Sequence, residues 1–408
     1  MSIEVRPVKP DEFEPFIEAM STGFLDRPDV ARVAGFVKEW WELPRTWGAW
    51  EDGRVCGTFR TWATEMTMPG GAALPGAAVT AVTVLPTHRR RGILRAMAAA
   101  EHAAIRERGE VFGLLYASEY PIYGRFGYGP ATRIATWTLN TRMTSFLGAP
   151  VSGVEVVKPG PESRDAIRDV FEAWRRMQPG ELKRRPFRWD DELGLMDSAW
   201  GEPWKGFLAL HRNADGVVDG YARYKGAEKW EQRQPRAELR LSELHATTFE
   251  AYQALWRFLG EVDLVSTVIA EGRSVSDQLP WLLTNHRAAV LSDVGEGLWV
   301  RIFDVVRALE TRTYERSGSV VLEIVDPELA APIRVRLDVS TDGARCKVTR
   351  KSPDLTLPIA ALGAIYLGGT RLRDIVIATG ADEHRAGALA ETEGLFRTAD
   401  EPWCSTFF

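Results

Sequence analysis

Val79-Thr-Ala-Val-Thr-Val-Leu-Pro86-Thr-His-Arg89-Arg-Arg-Gly92-Ile-Leu-Arg95 is the stretch from which the rest of the chain can be read. Its first half is apolar and β-branched, the pattern of a buried strand. Pro86 ends that strand, Arg89 to Gly92 makes a basic turn, and Ile93 onward reads as a helix. A strand that passes through a glycine turn into a helix gathers free backbone N–H groups and the positive helix end at one point, which suits an anion. Glycine lets the backbone approach a phosphate, and arginine adds charge-assisted hydrogen bonds. The spacing fits R-x-x-G-x-[G/A] with Leu94 in the small position. No G-x-G-x-x-G occurs, which disfavours a dinucleotide fold.

Around this stretch the pattern predicts a first block. It comprises a strand from Ile3 to Pro7, a helix capped by Asp11, a Trp-rich segment from Trp40 to Trp50, and a hairpin at Asp52-Gly53. A helix from Ile93 to Arg108, a strand from Val111 to Tyr116 and a closing strand from Thr132 to Leu139 follow. A second block opens near Val151 with an amphipathic helix from Pro161 to Met177. Its hairpin at Asp215-Gly216 carries Gly220 four residues on, as Gly53 is followed by Gly57. A strand, a helix with Phe249, Tyr252, Trp256 and Leu259, and another strand repeat the order of the first block, so a degenerate internal duplication is expected. The second copy has His245-Ala-Thr-Thr where the first has its arginine turn, and is not expected to hold the same anion. A third block starts near Leu298, with strands at 319–325, 333–339 and 346–349. The predicted domains are 1–145, 146–296 and 297–408.

The 408 residues are 45% hydrophobic with 15 Trp, which excludes a disordered chain, and the net charge of −5 argues against general nucleic-acid binding. Cys56, Cys346 and Cys404 are too scattered for a disulfide framework or a metal site, and the six His form no ligand pair at helical spacing. The charged start has no apolar signal segment, and the apolar run from Ala72 to Leu85 is too short to span a bilayer. A cytoplasmic location is expected.

A second motif, Ile122-Tyr123-Gly-Arg-Phe-Gly127-Tyr128, follows the next strand. An R-x-x-G turn after a strand, then a strand, then Tyr-x-x-x-Gly-aromatic resembles the GCN5-related N-acetyltransferases. The pair P-T-H-R-R-R-G-I-L-R and S-E-Y-P-I-Y-G-R-F-G-Y-G-P-A-T resembles the Eis (enhanced intracellular survival) branch more closely, supported by Leu298-Trp-Val-Arg-Ile-Phe-Asp-Val and the aromatic C-terminus. The resemblance implies an α+β chain of two tandem acetyltransferase-like regions followed by a sterol-carrier-like region. It implies acetyl-CoA as co-substrate and no metal. Val82, Thr83 and Val84 match the strand that pairs with the pantetheine arm. Arg90, Arg91, Gly92, Ile93, Leu94 and Arg95 match the pyrophosphate turn. Ser118 and Glu119 match further coenzyme contacts. Tyr123 matches the general acid, and the α-carboxylate of Phe408 the general base. The same resemblance implies a polyamine or aminoglycoside-type acceptor, acetylated at several amines, and a homo-hexamer. It also implies an acidic residue before the terminal Phe; Phe407 stands there instead.

Elementary chemistry fits these roles. A tyrosine with a pKa of about 10 is protonated at neutral pH and can give a proton to a thiolate. An end carrying Trp403, Phe407 and Phe408 is expected to dock rather than fray. A terminal carboxylate of pKa about 3.5 is a weak base, so burial or a relayed water must assist it. Phe24 and Asp26 are candidates for the acceptor pocket, Asp26 as a partner for an ammonium group. His88 sits in the turn among the arginines and reads as a structural or phosphate-side group rather than a catalytic base. No cysteine has the basic, His-paired setting of a nucleophile, so direct transfer in a ternary complex is expected. The rival readings are an acetyltransferase for protein lysines or another small amine, and a lipid-binding or scaffold protein working through the third region. The intact arginine turn and Tyr123 speak for the enzyme.

Overall fold

The computed structural model describes residues 3–150, 152–198 and 201–408. Val151, the expected start of the second block, lies outside the described residues. The first block runs β1 (Glu4–Pro7), α1 (Phe13–Gly23), α2 (Val30–Val37), β2 (Thr46–Glu51), β3 (Arg54–Thr67), β4 (Ala73–Val84), α3 (Ile93–Glu107), β5 (Phe112–Leu115), α4 (Tyr120–Tyr123) and β6 (Gly129–Pro130). Helices cover both faces of its sheet. On one face α1 buries Phe13, Phe16, Ile17 and Met20 against Val33 and Val37 of α2 and Trp50 of β2. On the other, Ile93 and Met97 of α3 pack on Cys56, Phe59 and Val79.

The second block continues with β7 (Arg133–Asn140), β8 (Val154–Val157), α5 (Pro161–Arg175), α6 (Arg188–Glu192), β9 (Phe207–Arg212) and β10 (Val218–Ala227). A small ribbon, β11 (Trp230–Glu231) with β12 (Gln234–Pro235), leads to β13 (Ala237–Ala246), α7 (Phe249–Gly260), β14 (Val265–Arg273), β15 (Ala289–Glu296) and β16 (Trp299–Ile302). The repeat is physical. In each copy an antiparallel hairpin leads to a strand, a helix and a second strand parallel to the first, β4 with β5 and β13 with β14. The shared glycine has one reason in both. A Cβ on Gly57 would come within 3.0 Å of Ile93 and Met97 of α3, and a Cβ on Gly220 within 2.9 Å of Ala251 of α7. Each glycine lets the crossover helix lie close on its own sheet.

The final strands are exchanged between the copies. The first sheet has the order β1-β2-β3-β4-β5-β16-β6, and the second reads β8-β9-β10-β13-β14-β7-β15. The strand at 133–140, expected to close the first block, therefore belongs to the second sheet, and the strand at 299–302, expected in the third, belongs to the first. The cuts at 145 and 296 do not separate the two sheets. The crossing points lie side by side. Ala131 N and Thr132 N donate to Leu298 O (2.9 and 3.2 Å), Gly297 N to Thr132 O (2.9 Å), and Leu298 N to Thr132 Oγ1 (2.8 Å). Trp299 to Ile302 are all buried, as a strand flanked on both edges and covered on both faces requires.

The third region contains α8 (Val305–Thr311), β17 (Gly318–Val325), β18 (Ile333–Ser340), β19 (Gly343–Val348), β20 (Leu355–Pro358), α9 (Ile359–Ile365), α10 (Leu372–Thr379), β21 (Asp382–Glu383) and α11 (Ala388–Phe396). Its sheet has the order β19-β18-β17-β20-β21, and β18 alternates buried and wetter positions as its sequence does. One apolar core joins it to the first sheet, with Val300 and Ile302 of β16 beside Ile359, Leu362 and Ile365 of α9. A charged seam adds to the join. Arg301 donates to both Asp326 oxygens at 2.9 Å and to Glu328 at 2.9 Å, while His102 of α3 meets Glu328 at 2.6 Å and Tyr128 at 3.0 Å.

Candidate active site

β4 pairs with β5 only from Gly76 to Ala78, yet on its other edge it stays paired with β3 as far as Val84. The two parallel strands therefore part beyond Ala78 and leave a wedge. At its mouth β4 bulges: the register to β3 shifts between Thr58 and Arg60, and Ala81 has a φ of 54°. Val82, Thr83 and Val84 follow the bulge along the open edge.

The wedge leads to the arginine turn. Arg90 (φ 63°) and Gly92 (φ 79°) take left-handed conformations, and Gly92 is the N-cap of α3 with no side-chain hydrogen bond to the helix end. The first-turn N–H groups of Ile93, Leu94 and Arg95 thus carry no side-chain cap. The second copy differs here: Thr248 Oγ1 caps α7 by accepting from Ala251 N at 3.1 Å. The arginines also differ among themselves. Arg91 is tied back to Glu51, with Nη1 donating at 3.0 Å, and His88 meets the same carboxylate at 3.0 Å. The Arg91 hydrogen bond holds the Glu51 carboxyl at about 2. Arg89, Arg90 and Arg95 are exposed and make no ion pair among the described residues. Of the two roles the sequence leaves open for His88, structural or phosphate-side, its contact with Glu51 fits the structural one.

Tyr123 ends α4 and is buried, with its ring edge-on to Tyr128 at 6.4 Å. It packs on the α3 face of the sheet, in the cluster that holds Leu115, Val79 and Met97. Burial pushes its hydroxyl above the ordinary value, and a hydrogen bond with Ser118 works the other way. The phenol is therefore protonated at neutral pH. Ser118 and Glu119 sit in the exposed segment between β5 and α4.

On the opposite face, below the bulge, lies a cavity of about 470 Å³. Thr80 and Ala81 form one wall, α1 and α2 another, and Arg185 and Phe187 of the second block a third. Phe24 and Asp26 both line it, as do the last two residues, Phe407 and Phe408. The tail docks, as its aromatics suggest. Trp403 is buried, Tyr116 Oη donates to Cys404 O (3.3 Å) and Thr406 O (3.2 Å), and buried Glu181 accepts from Ser405 N (2.7 Å), Ser405 Oγ (2.7 Å) and Thr406 N (3.2 Å). The Phe408 ring stands edge-on to Trp62 (5.5 Å) and Tyr116 (5.4 Å). Tyr123 and Phe408 thus flank the end of β5 from opposite faces.

Sequence reasoning passed over Arg60, Trp62, Arg185 and Phe187. They come from a mid-strand position and from a loop of the other copy, so no local motif joins them. The one available signal was the density of tryptophan from residue 40 onward.

Residues 4–131 and 180–302 each match the acetyltransferase (GNAT) domain, and residues 305–405 match the sterol carrier protein domain. The chain is 39% identical to an N-acetyltransferase of Streptomyces avermitilis, covering 100% of this chain and 99% of that one. It is 37% identical to the N-acetyltransferase Eis of Mycobacterium tuberculosis over 86% of this chain and 82% of the relative. The chain belongs to the Eis family of GCN5-related N-acetyltransferases. The crystal structure of Eis1 from Mycobacterium abscessus superposes with a TM-score of 0.86 at 32% identity, covering 99% of this chain and 100% of the other. A GCN5-related N-acetyltransferase from Anabaena variabilis, at 19% identity and a TM-score of 0.84 over 100% of both chains, shares the fold. As an Eis-family enzyme the chain is an acetyltransferase with two acetyltransferase domains and a sterol-carrier domain, and acetyltransferases of this family use acetyl-CoA. No helix among the described residues is long and apolar enough to cross a membrane.

Proposed function

We propose that the protein transfers acetyl from acetyl-CoA to a primary amine held in the aromatic cavity, directly and within a ternary complex. The observation that carries this reading is the uncapped start of α3, flanked by unpaired arginines at the end of a parted strand pair. That arrangement fits a diphosphate with a thin arm attached. The backbone of Val82, Thr83 and Val84 would hold the arm. Arg90, Arg95 and the N–H groups of Gly92, Ile93 and Leu94 would hold the diphosphate. Arg91, bound to Glu51, would set the shape of the turn beside the diphosphate. Ser118 and Glu119 would contact the coenzyme beyond β5. When bound, acetyl-CoA supplies an acetyl group activated as a thioester.

Tyr123 gives its proton to the departing thiolate, and the Phe408 α-carboxylate takes the proton that the attacking amine loses. Cys56, Cys346 and Cys404 are all buried, and burial raises each thiol pKa, which supports direct transfer over a covalent cysteine route. A second reading, a polycationic acceptor of the aminoglycoside type, is favoured by Asp26 at the cavity wall. By the same family resemblance the protein assembles as a homo-hexamer, which light scattering measures.

Thiol release from acetyl-CoA across a panel of amines tests the activity. Tyr123→Phe, and a few residues appended after Phe408, are each expected to cut kcat sharply while the thermal shift on adding CoA persists. No thiol release with any amine and no thermal shift with CoA would overturn the reading.

A further inference from the structure

The cavity holds two guanidinium groups that form no ion pair among the described residues, the Glu42 carboxylate acting on both only from a distance. Arg60 is 2% exposed, makes no ion pair or side-chain hydrogen bond among the described residues, and leaves its Nε buried without a partner. Its guanidinium lies 4.2 Å over the Trp41 ring. Arg185 is likewise unpaired, with Nη1 buried and partnerless, 4.5 Å over Phe187 and 4.9 Å over Trp62. The other deeply buried arginines are treated differently. Arg175 is bonded to Glu172 and Glu65, Arg184 to Glu192 and Glu243, and Arg301 to Asp326, while Arg312 donates to main-chain carbonyls. Both exceptions line the cavity, where the third lining arginine, Arg188, is paired with Glu192.

A buried cation without a counter-charge is costly, and among the described residues the other deeply buried guanidiniums have at least one acceptor while these two have none. Burial, and the charge of Arg185, pull the Arg60 pKa well below its ordinary value; burial and Arg188 bring Arg185 down to about 10. Asp26 and Asp191 share the cavity but form no ion pair with either arginine. The remaining surface is largely aromatic, with Phe24, Trp40, Phe187 and Phe408 offering flat apolar faces.

We infer that the acceptor is an apolar, aromatic amine that also carries a carboxylate, received by Arg60 and Arg185 while its amine is presented at the β4 bulge. This rests on the acetyltransferase reading above and chooses a carboxylate-bearing acceptor over the polycationic one. Guanidinium matches carboxylate geometry with two parallel hydrogen bonds. A polycationic acceptor would leave both arginines unpaired and add like charge beside them.

Three probes separate the cases: para-(aminomethyl)benzoate, its neutral analogue para-methylbenzylamine, and the aminoglycoside kanamycin. With the intact protein and acetyl-CoA, kcat/KM for the carboxylate is expected to exceed that for the neutral amine by at least about tenfold, the scale of a charge-assisted hydrogen bond. In Arg60→Met that ratio falls to near one; Arg185→Met is the second variant, used if the first does not fold. Turnover of the neutral amine or kanamycin at least as good as that of the carboxylate overturns the inference and leaves the acetyltransferase reading standing. So does a ratio that survives both substitutions, or no release with any of the three while CoA still shifts the melting temperature. No release together with no CoA shift overturns the acetyltransferase reading, and the inference with it.

Discussion

Replacing Glu181 by alanine tests whether the terminal carboxylate takes part in the reaction. Glu181 lies in the second block, buried, and four tail donors meet its carboxylate: Ser405 N at 2.7 Å, Ser405 Oγ at 2.7 Å, Thr406 N at 3.2 Å and the Cys404 thiol at 3.6 Å. A hydrogen bond to a charged acceptor contributes about 1.5–3 kcal/mol. The serine hydroxyl keeps His245 at 3.4 Å and Arg184 at 3.3 Å, and the Cys404 thiol keeps Thr406 O at 3.5 Å, so two backbone N–H groups are left to count. Their loss is worth about 3–6 kcal/mol at most, and water entering the gap returns part of it. The tail retains Tyr116 and the ring contacts of Phe408. A net loss of about 1.5–3 kcal/mol would lower the docked-to-released ratio of the tail by roughly 10- to 150-fold. The expected result is a fall in kcat of about tenfold or more. The KM for acetyl-CoA stays within about twofold, because the α3 turn is built from other residues. Thiol release measures the first, the CoA-induced thermal shift checks the second, and digestion by a carboxypeptidase reports release of the tail. Glu181→Gln, which keeps an acceptor oxygen, should lie between. A variant whose tail is digested past Phe408 while kcat holds would refute the role of the terminal carboxylate.

Gly127→Ala should unfold the join between the first sheet and the third region: its φ is 80°, and a Cβ there would stand 1.9 Å from Arg301 Nη1. A cost of about 3 kcal/mol or more is expected from displacing a buried ion pair, and an unchanged urea midpoint would contradict it. Gly57→Ala and Gly220→Ala should each cost about 1–3 kcal/mol by overpacking a crossover helix. Only Gly57→Ala, which shifts α3, should also raise the KM for acetyl-CoA in steady-state assays. Acid should loosen the same join. Burial alone would raise the Glu328 carboxyl, but the His102 hydrogen bond and the charges of Arg301 and Arg106 outweigh it and hold it at about 2, below the usual 4.5. A depressed carboxyl stabilises the fold fully above its unfolded pKa, and that stabilisation is lost as pH falls through the folded one. Wild-type melting temperature should therefore drop between about pH 4.5 and 2 more steeply than that of Glu328→Gln, and parallel curves would contradict this.

Much of the first block was legible because its signals are local. The β-branched run, Pro86, the glycine turn and the helix lie in one stretch, and each residue argues for its own conformation. The duplication was legible from the Gly53/Gly57 and Gly216/Gly220 spacing, whose cause is the approach of α3 and α7 to their sheets. Partner choice was not. Apolar patterning marks 133–140 as a strand and leaves 298–309 as a helix or a strand, and nothing along either says which sheet edge it will meet. The three consecutive arginines looked alike, and only the position of Glu51, brought alongside by the fold, makes Arg91 a brace and leaves Arg90 free. The candidate cavity was least legible of all: Arg60, Arg185 and Phe408 meet there from three distant parts of the chain, while Phe24 and Asp26 could be proposed because they fall just past a readable helix.

The exchanged strands have a consequence for the order of synthesis. β5 waits for β16, so the sheet that carries the wedge stays open along one edge until Trp299 to Ile302 have left the ribosome. The second copy keeps β7 engaged meanwhile, and its own helix end is already closed by Thr248. A message cut short anywhere within that copy would leave β5 with a bare edge where β16 belongs. Selection on the acetyl-transferring half therefore acts on the other half as well. It can alter its surface and its helix cap freely, but it cannot discard the copy that delivers the missing strand.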